Sequence, residues 1–172
     1  MLFRSIPYTH SGAKASYLAM DKYLSYEIAS SLGIRVADYE FVGDFSSLSA
    51  KAQKIMSAPF VIKPNMGGSS IGVYVFEDPK AFKADDKYFT HGGVIVQKYV
   101  KGHEINVAIL NDSVVGAVQV DYKRSFFDYE AKYASNDTSY RTETDISLAE
   151  QKLIFAAAEK FHNFIGANNI AR

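Results

Sequence analysis

Apolar positions recur along this chain with two different periods, and the switches between them outline its elements. Met20, Leu24, Ile28 and Leu32 fall at every fourth position within Ala15–Leu32, which predicts one apolar helical face. Gly33 is suited to close that helix. The residues before Ala15 carry Pro7 and Gly12 and read as an irregular lead-in. A second helix is predicted from Ser47 to Met56, with Leu48, Ala52, Ile55 and Met56 on one side. Short β-prone runs surround it at Tyr39–Val42, Phe60–Lys63, Val73–Phe76 and Val94–Lys98, and Pro79 opens a short helical turn after Asp78.

After Val100 the pattern changes. Ile105–Leu110 and Val114–Val120 are β-prone runs joined by Asn111-Asp112-Ser113, a hairpin signal. The polar, tyrosine-rich stretch from Asp121 to Thr144 has no period and the length of a functional loop. Ser147-Leu148-Ala149-Glu150 is a capping box, Leu153, Ala157, Phe161 and Phe164 supply a helical face, and Gly166 ends it. The fold class predicted is α+β: two small lobes, 1–98 and 99–172, with a cleft between them.

Charge and composition narrow the function. Lys+Arg and Asp+Glu both number 19, so no global field draws nucleic acid or an anionic membrane. The absence of cysteine excludes disulfides, thiolate metal sites and a thiol nucleophile. No apolar run resembles a signal peptide or a bilayer span, so a cytoplasmic protein is expected. The four histidines lack metal-ligand spacing, and no metal ligands are expected within the chain.

The chemistry concentrates between Phe60 and Gly72. A strand ends in Lys63, Pro64 stops it, and Gly67, Gly68, Ser69, Ser70 and Gly72 form a loop that can turn several N–H groups toward one anion. A lysine beside such a loop suits a polyphosphate. Local pattern alone is equally compatible with a flexible hairpin, and neither a Walker nor a Rossmann signature is present.

Other segments resolve this. Ile6-Pro7-Tyr8-Thr9, Met20-Asp21-Lys22, Val61-Ile62-Lys63-Pro64, Gly68-Ser69-Ser70-Ile71-Gly72, Gln97-Lys98 with Gly102 and Glu104, and Phe127-Asp128-Tyr129-Glu130-Ala131-Lys132-Tyr133 occur in one order. In order and spacing the chain resembles the D-alanine–D-alanine ligases of the ATP-grasp superfamily over essentially its whole length. The Tyr-Glu-Ala-Lys-Tyr run is the most discriminating part.

The resemblance implies an ATP-dependent, ADP-forming ligase of peptidoglycan precursor synthesis, with D-alanine and ATP as substrates and a homodimeric parent. By that pattern Lys22 and Lys63 contact the ATP phosphates and the Gly67–Gly72 loop closes over them. Gln97 and Lys98 meet the adenine, the Val100 backbone its edge, and Glu104 the ribose. Lys132 reaches the terminal phosphate, Tyr133 pairs with Ser69 to hold the loop shut, and Arg172 stabilises the acyl phosphate and tetrahedral intermediate. Gln97 stands where the family often has a glutamate.

The resemblance also implies that the family's N-terminal region is missing and that the Mg2+ ligands lie beyond Arg172. A piece of this extent is expected not to turn over alone. Alternative readings are a ligase for D-lactate or another acceptor, and a nucleotide-binding module without catalysis.

Overall fold

The helix expected over Ala15–Leu32 is two helices, α1 (Ala13–Met20) and α2 (Lys22–Ser31). Asp21 between them has an extended backbone, and its carboxylate accepts from Leu24 N at 3.0 Å. An N-cap needs non-helical φ/ψ, so the residue that starts α2 also ends α1. The fourfold spacing runs through the break, which is why periodicity misses it. Gly33, at φ +73°, follows α2 as expected.

The computed structural model describes residues 8–55, 59–89, 92–122 and 138–172. The chain divides into two units: Met20–Gly102 with Tyr122–Thr138, and Met1–Ala19 with His103–Asp121 and Ser139–Arg172.

The unit built on Met20–Gly102 contains β1 (Tyr39–Val42), α3 (Leu48–Ile55), β2 (Phe60–Pro64), β3 (Tyr74–Phe76) and β4 (Val94–Lys98). The strands pair antiparallel in the order β1-β4-β2-β3. Side chains alternate across a strand, so Val42, Phe60, Ile62, Val94 and Val96 share one face. There they pack with Leu48, Ala52 and Ile55 of α3. Phe76, Phe82, Tyr88 and Phe89 border this core. The opposite face carries Phe41, on which Tyr23 of α2 stacks at 4.8 Å, and Tyr39, against which Tyr26 tilts at 4.9 Å. The expected helix Ser47–Met56 starts one residue later, after a 3-10 turn at Phe45–Ser47 capped by Asp44. Met56 lies outside the described residues.

The other unit holds α1, β5 (Glu104–Leu110), β6 (Ser113–Asp121), β7 (Ser139–Arg141), α4 (Leu148–Ile165) and β8 (Ile170–Ala171). Its strands run antiparallel in the order β7-β6-β5-β8. Asn111 and Asp112 are both left-handed, as a two-residue hairpin between right-twisted strands requires. The capping box of α4 is present, and Gly166 closes it at φ 69°. Glu159 of α4 accepts from Val114 N at 2.9 Å, and His162 Nε2 hydrogen-bonds Asp112 Oδ1 at 2.9 Å, so α4 grips the β5–β6 hairpin.

Two expectations change here. The stretch Asp121–Thr144 is not one loop: Asp121 ends β6, and β7 lies within it. Arg141 ion-pairs with Asp121 and Asp145, while Gln119 donates to the same carboxylates at 2.8 and 2.9 Å. Hydrogen bonds from Arg141 and Gln119 hold the Asp145 carboxyl down at about 2. The buried side of α4 also differs. Leu153 and Phe164 are 70% and 59% exposed, whereas His162 and Ile165 are buried. The helix is apolar on two sides, and the spacing alone could not choose between them.

Candidate phosphate-binding site

Strand alternation sets this site. With Ile62 and Val96 committed to the core, Lys63 and Gln97 emerge together on the opposite sheet face, toward α2. They sit on neighbouring strands, diagonal to one another, because Lys63 pairs with Ile95 and Val61 with Gln97. Lys63 Nζ donates to Gln97 Oε1 at 2.6 Å, and Tyr26 OH donates to the same oxygen at 3.3 Å. The Lys63 ammonium also lies 5.4 Å from the Tyr26 ring centroid. Sequence reasoning passed over Tyr26. Its spacing of four from Lys22, on one face of α2, was the available signal.

Lys22 is the first residue of α2, and its ammonium donates to the carbonyls of Asn65 at 3.3 Å and Gly67 at 2.9 Å. Asn65 ties the loop to the helix. Its side-chain oxygen accepts from Tyr23 N at 2.8 Å, its carbonyl accepts from Lys22 N at 3.1 Å, and its N–H donates to Gly93 at 3.0 Å. Nothing in the periodicity marks Asn65 out, since its partners lie in other elements.

The loop that follows is largely left-handed, with φ of 107° at Gly67, 56° at Ser69, 58° at Ser70 and 70° at Gly72. Each serine there costs on the order of 1 kcal/mol or more, a strain that clusters at functional sites. A Cβ added at Gly67 or Gly68 would meet nothing within 4 Å, while one at Gly72 would come 3.0 Å from Pro64. The first half of the loop is therefore open, and its end is pinned on the strand.

The two lysines are electrostatically exposed to each other. Burial pushes the Lys63 ammonium down to about 8. Lys22 is lowered by burial first and by repulsion from Lys63 second, with Asp21 opposing. Among the described residues neither ammonium takes part in an ion pair. Two amine cations with no ion-pair partner among the described residues, one of them (Lys22) beside open backbone, form an arrangement that a multiply charged oxyanion completes.

The remaining candidates are distributed differently. Lys98 lies on the opposite face of β4 from Gln97, at a cavity of about 340 Å³ lined with Val36, Ala37, Asp38, Tyr39, Glu40, Lys54 and Ile55. Val100 is exposed beyond the end of β4. Glu104 and Arg172 belong to the other unit, where Glu104 opens β5 and Arg172 follows β8. Lys132 and Tyr133, with the whole run 127–133, lie outside the described residues, as do Ile6 and Pro7.

Solved structures define the class of this fold as ATP-grasp. The D-alanine–D-alanine ligase of Bacillus anthracis matches with TM-score 0.72 at 25% identity, over 98% of this chain and 56% of that one. The VanG D-Ala:D-Ser ligase of Enterococcus faecalis matches with TM-score 0.77 at 26% identity, over 96% of this chain and 50% of its own. The family model described as D-ala D-ala ligase C-terminus matches residues 28–172, and the chain belongs to that family. The D-alanine–D-alanine ligase of Anaeromyxobacter sp. (strain K) is 37% identical over 174 residues, covering 98% of this chain and 56% of the relative. The chain thus spans about half the length of the curated relatives it matches.

Proposed function

We propose that this chain supplies the ATP-binding portion of a ligase that joins two D-alanine molecules through an acyl phosphate. The observation that carries this reading is the pair Lys22 and Lys63, near enough to repel one another and without ion-pair partners among the described residues, with Lys22 held on an open left-handed loop. A triphosphate supplies the anion that this arrangement lacks.

In the proposed reaction the carboxylate oxygen of one D-alanine attacks the terminal phosphorus, and the bond to the leaving ADP breaks. The amine of the second D-alanine then attacks the acyl carbon, phosphate leaves, and the amine loses a proton. Lys22 and Lys63 hold negative charge as it shifts among phosphoryl oxygens, and the Gly67–Gly72 loop keeps water from the acyl phosphate. The roles given above to Ser69, Lys98, Val100, Glu104, Lys132, Tyr133 and Arg172 belong to the same proposal and rest on the family pattern. Among the described residues no cluster of three or more His, Asp or Glu side chains is arranged to hold a metal ion. The reading carries with it a cytoplasmic homodimer serving peptidoglycan synthesis. No helix among the described residues is long and apolar enough to cross a membrane. A second reading changes the acceptor, because a D-Ala:D-Ser ligase is as similar to this chain as a D-Ala–D-Ala ligase is.

The test is phosphate release from ATP on adding D-alanine, followed for the intact gene product. Lys22→Ala and Lys63→Ala are expected to lower it by about two decades, while Lys152→Ala on exposed α4 leaves it unchanged. D-alanine-independent release, or equal rates for all three variants, overturns the reading.

A further inference from the structure

We propose that Asn65 is the positioning residue for Lys22: it fastens the start of α2 to the end of β2, so that the Lys22 ammonium stays on the phosphate loop against repulsion from Lys63. This deepens the nucleotide-site reading above and rests on it.

Two like charges on different elements separate unless the framework holds them together, and Lys22 does feel the repulsion of Lys63. Asn65 stands two residues after Lys63 and two before Gly67, and it is only 4% exposed. Its Oδ1 accepts from Tyr23 N at 2.8 Å, and its carbonyl accepts from Lys22 N at 3.1 Å and from Lys22 Nζ at 3.3 Å. The first N–H groups of a helix have no partner within it. Asn65 serves the first two residues of α2, and Asp21 serves the third, Leu24. One residue therefore sets both where α2 begins and where its first side chain reaches.

Asn65 is itself held by the sheet. Its N–H donates to the Gly93 carbonyl at 3.0 Å, beside the pairing of Pro64 with Val94. Gly93 has no freedom to shift toward β1, because its α-carbon already lies against the Val42 carbonyl and the Phe41 ring. The place of Lys22 is thus passed from β4 through Asn65 to α2.

The groups that hold the ammonium are the carbonyls of Asn65 and Gly67. They are neutral, so they direct the lysine without cancelling its charge, and one of its three donors stays available for a phosphate oxygen. Truncating Asn65 leaves Tyr23 N–H without its acceptor and loosens the first turn of α2. Lys22, the first residue of that turn, then leaves the loop.

The experiment is a double-mutant cycle on the intact gene product, reading the affinity for tripolyphosphate, which has no base, by calorimetry at pH 7. Lys22→Ala alone is expected to weaken binding about tenfold and Asn65→Ala alone about fivefold. Because Asn65 acts through Lys22, the double variant is expected to bind no more weakly than Lys22→Ala. A merely structural role would instead lower affinity by the same factor in both backgrounds. Asn65→Ser, which keeps an acceptor of shorter reach, is expected to lose less than Asn65→Ala, and the same cycle run on it decides the point should Asn65→Ala fail to fold. An equal loss in the Lys22→Ala background, or no loss in otherwise unsubstituted protein, overturns the proposal. Absence of tripolyphosphate binding to unsubstituted protein, or indifference to Lys22→Ala, overturns the phosphate site itself and the proposal with it.

Discussion

Lys63 illustrates what a single residue discloses before and after folding. As a strand-end lysine beside a glycine loop it was legible as a candidate cation, but lysine at such a place is commonly solvated, and its burial was not legible. Burial depends on β2 lying between β3 and β4 and on α2 covering that face, both set by residues far away in sequence. The same holds for Gln97, whose partner is a diagonal neighbour across a strand pair. A pH effect follows. Lys63 titrates near 8 in the folded chain and near 10.5 when unfolded, so the unfolded state binds more protons between these values. Stability therefore rises with pH through that window, and below about 8 the buried charge is a constant penalty. Lys63→Met should raise the melting temperature relative to unsubstituted protein at pH 7, with an advantage that shrinks between pH 8 and 10. An advantage constant with pH would show that Lys63 is not buried as a charge.

Elements were recovered where a local signal fixes both type and ends. The capping box and Gly166 bracketed α4, and Asn111-Asp112 marked the hairpin, since each is a contact among residues close in sequence. The errors share one cause. Asp21 breaks a helix whose apolar spacing continues, α4 has two apolar sides, and β7 is three residues long and becomes a strand only by pairing with β6. Gly93 shows how strongly an element end can be constrained without any sequence signal beyond its identity. At φ +83° it precedes β4, and a Cβ there would lie 2.7 Å from the Val42 carbonyl and 2.8 Å from the Phe41 ring. Gly93→Ala is expected to destabilise by on the order of 3 kcal/mol in urea denaturation. Gly68→Ala, with open space and no positive φ, is expected to stay within about 0.5 kcal/mol. Equal effects would mean that Gly93 is not held as described.

At the scale of the whole chain, the two units are threaded through one another in sequence. Residues up to Ala19 belong with His103–Asp121 and Ser139–Arg172, while Met20–Gly102 forms the greater part of the other unit. Ser11 Oγ and Asn168 N, 3.0 Å apart, are separated by 157 positions in the chain. A polypeptide made from its N-terminus therefore releases all four strands of the β1–β4 sheet while α1 still awaits its partners, and closing the longer loop carries the larger entropic cost. Nascent chains stalled just past residue 122 should show protease protection of β1–β4 and cleavage within 8–19, with α1 protected only once 139–172 has emerged. Early protection of α1 would contradict this order. α1, made before every other element of the two units, is thus among the last to find its place, and for that interval its apolar side is left to whatever attends the growing chain.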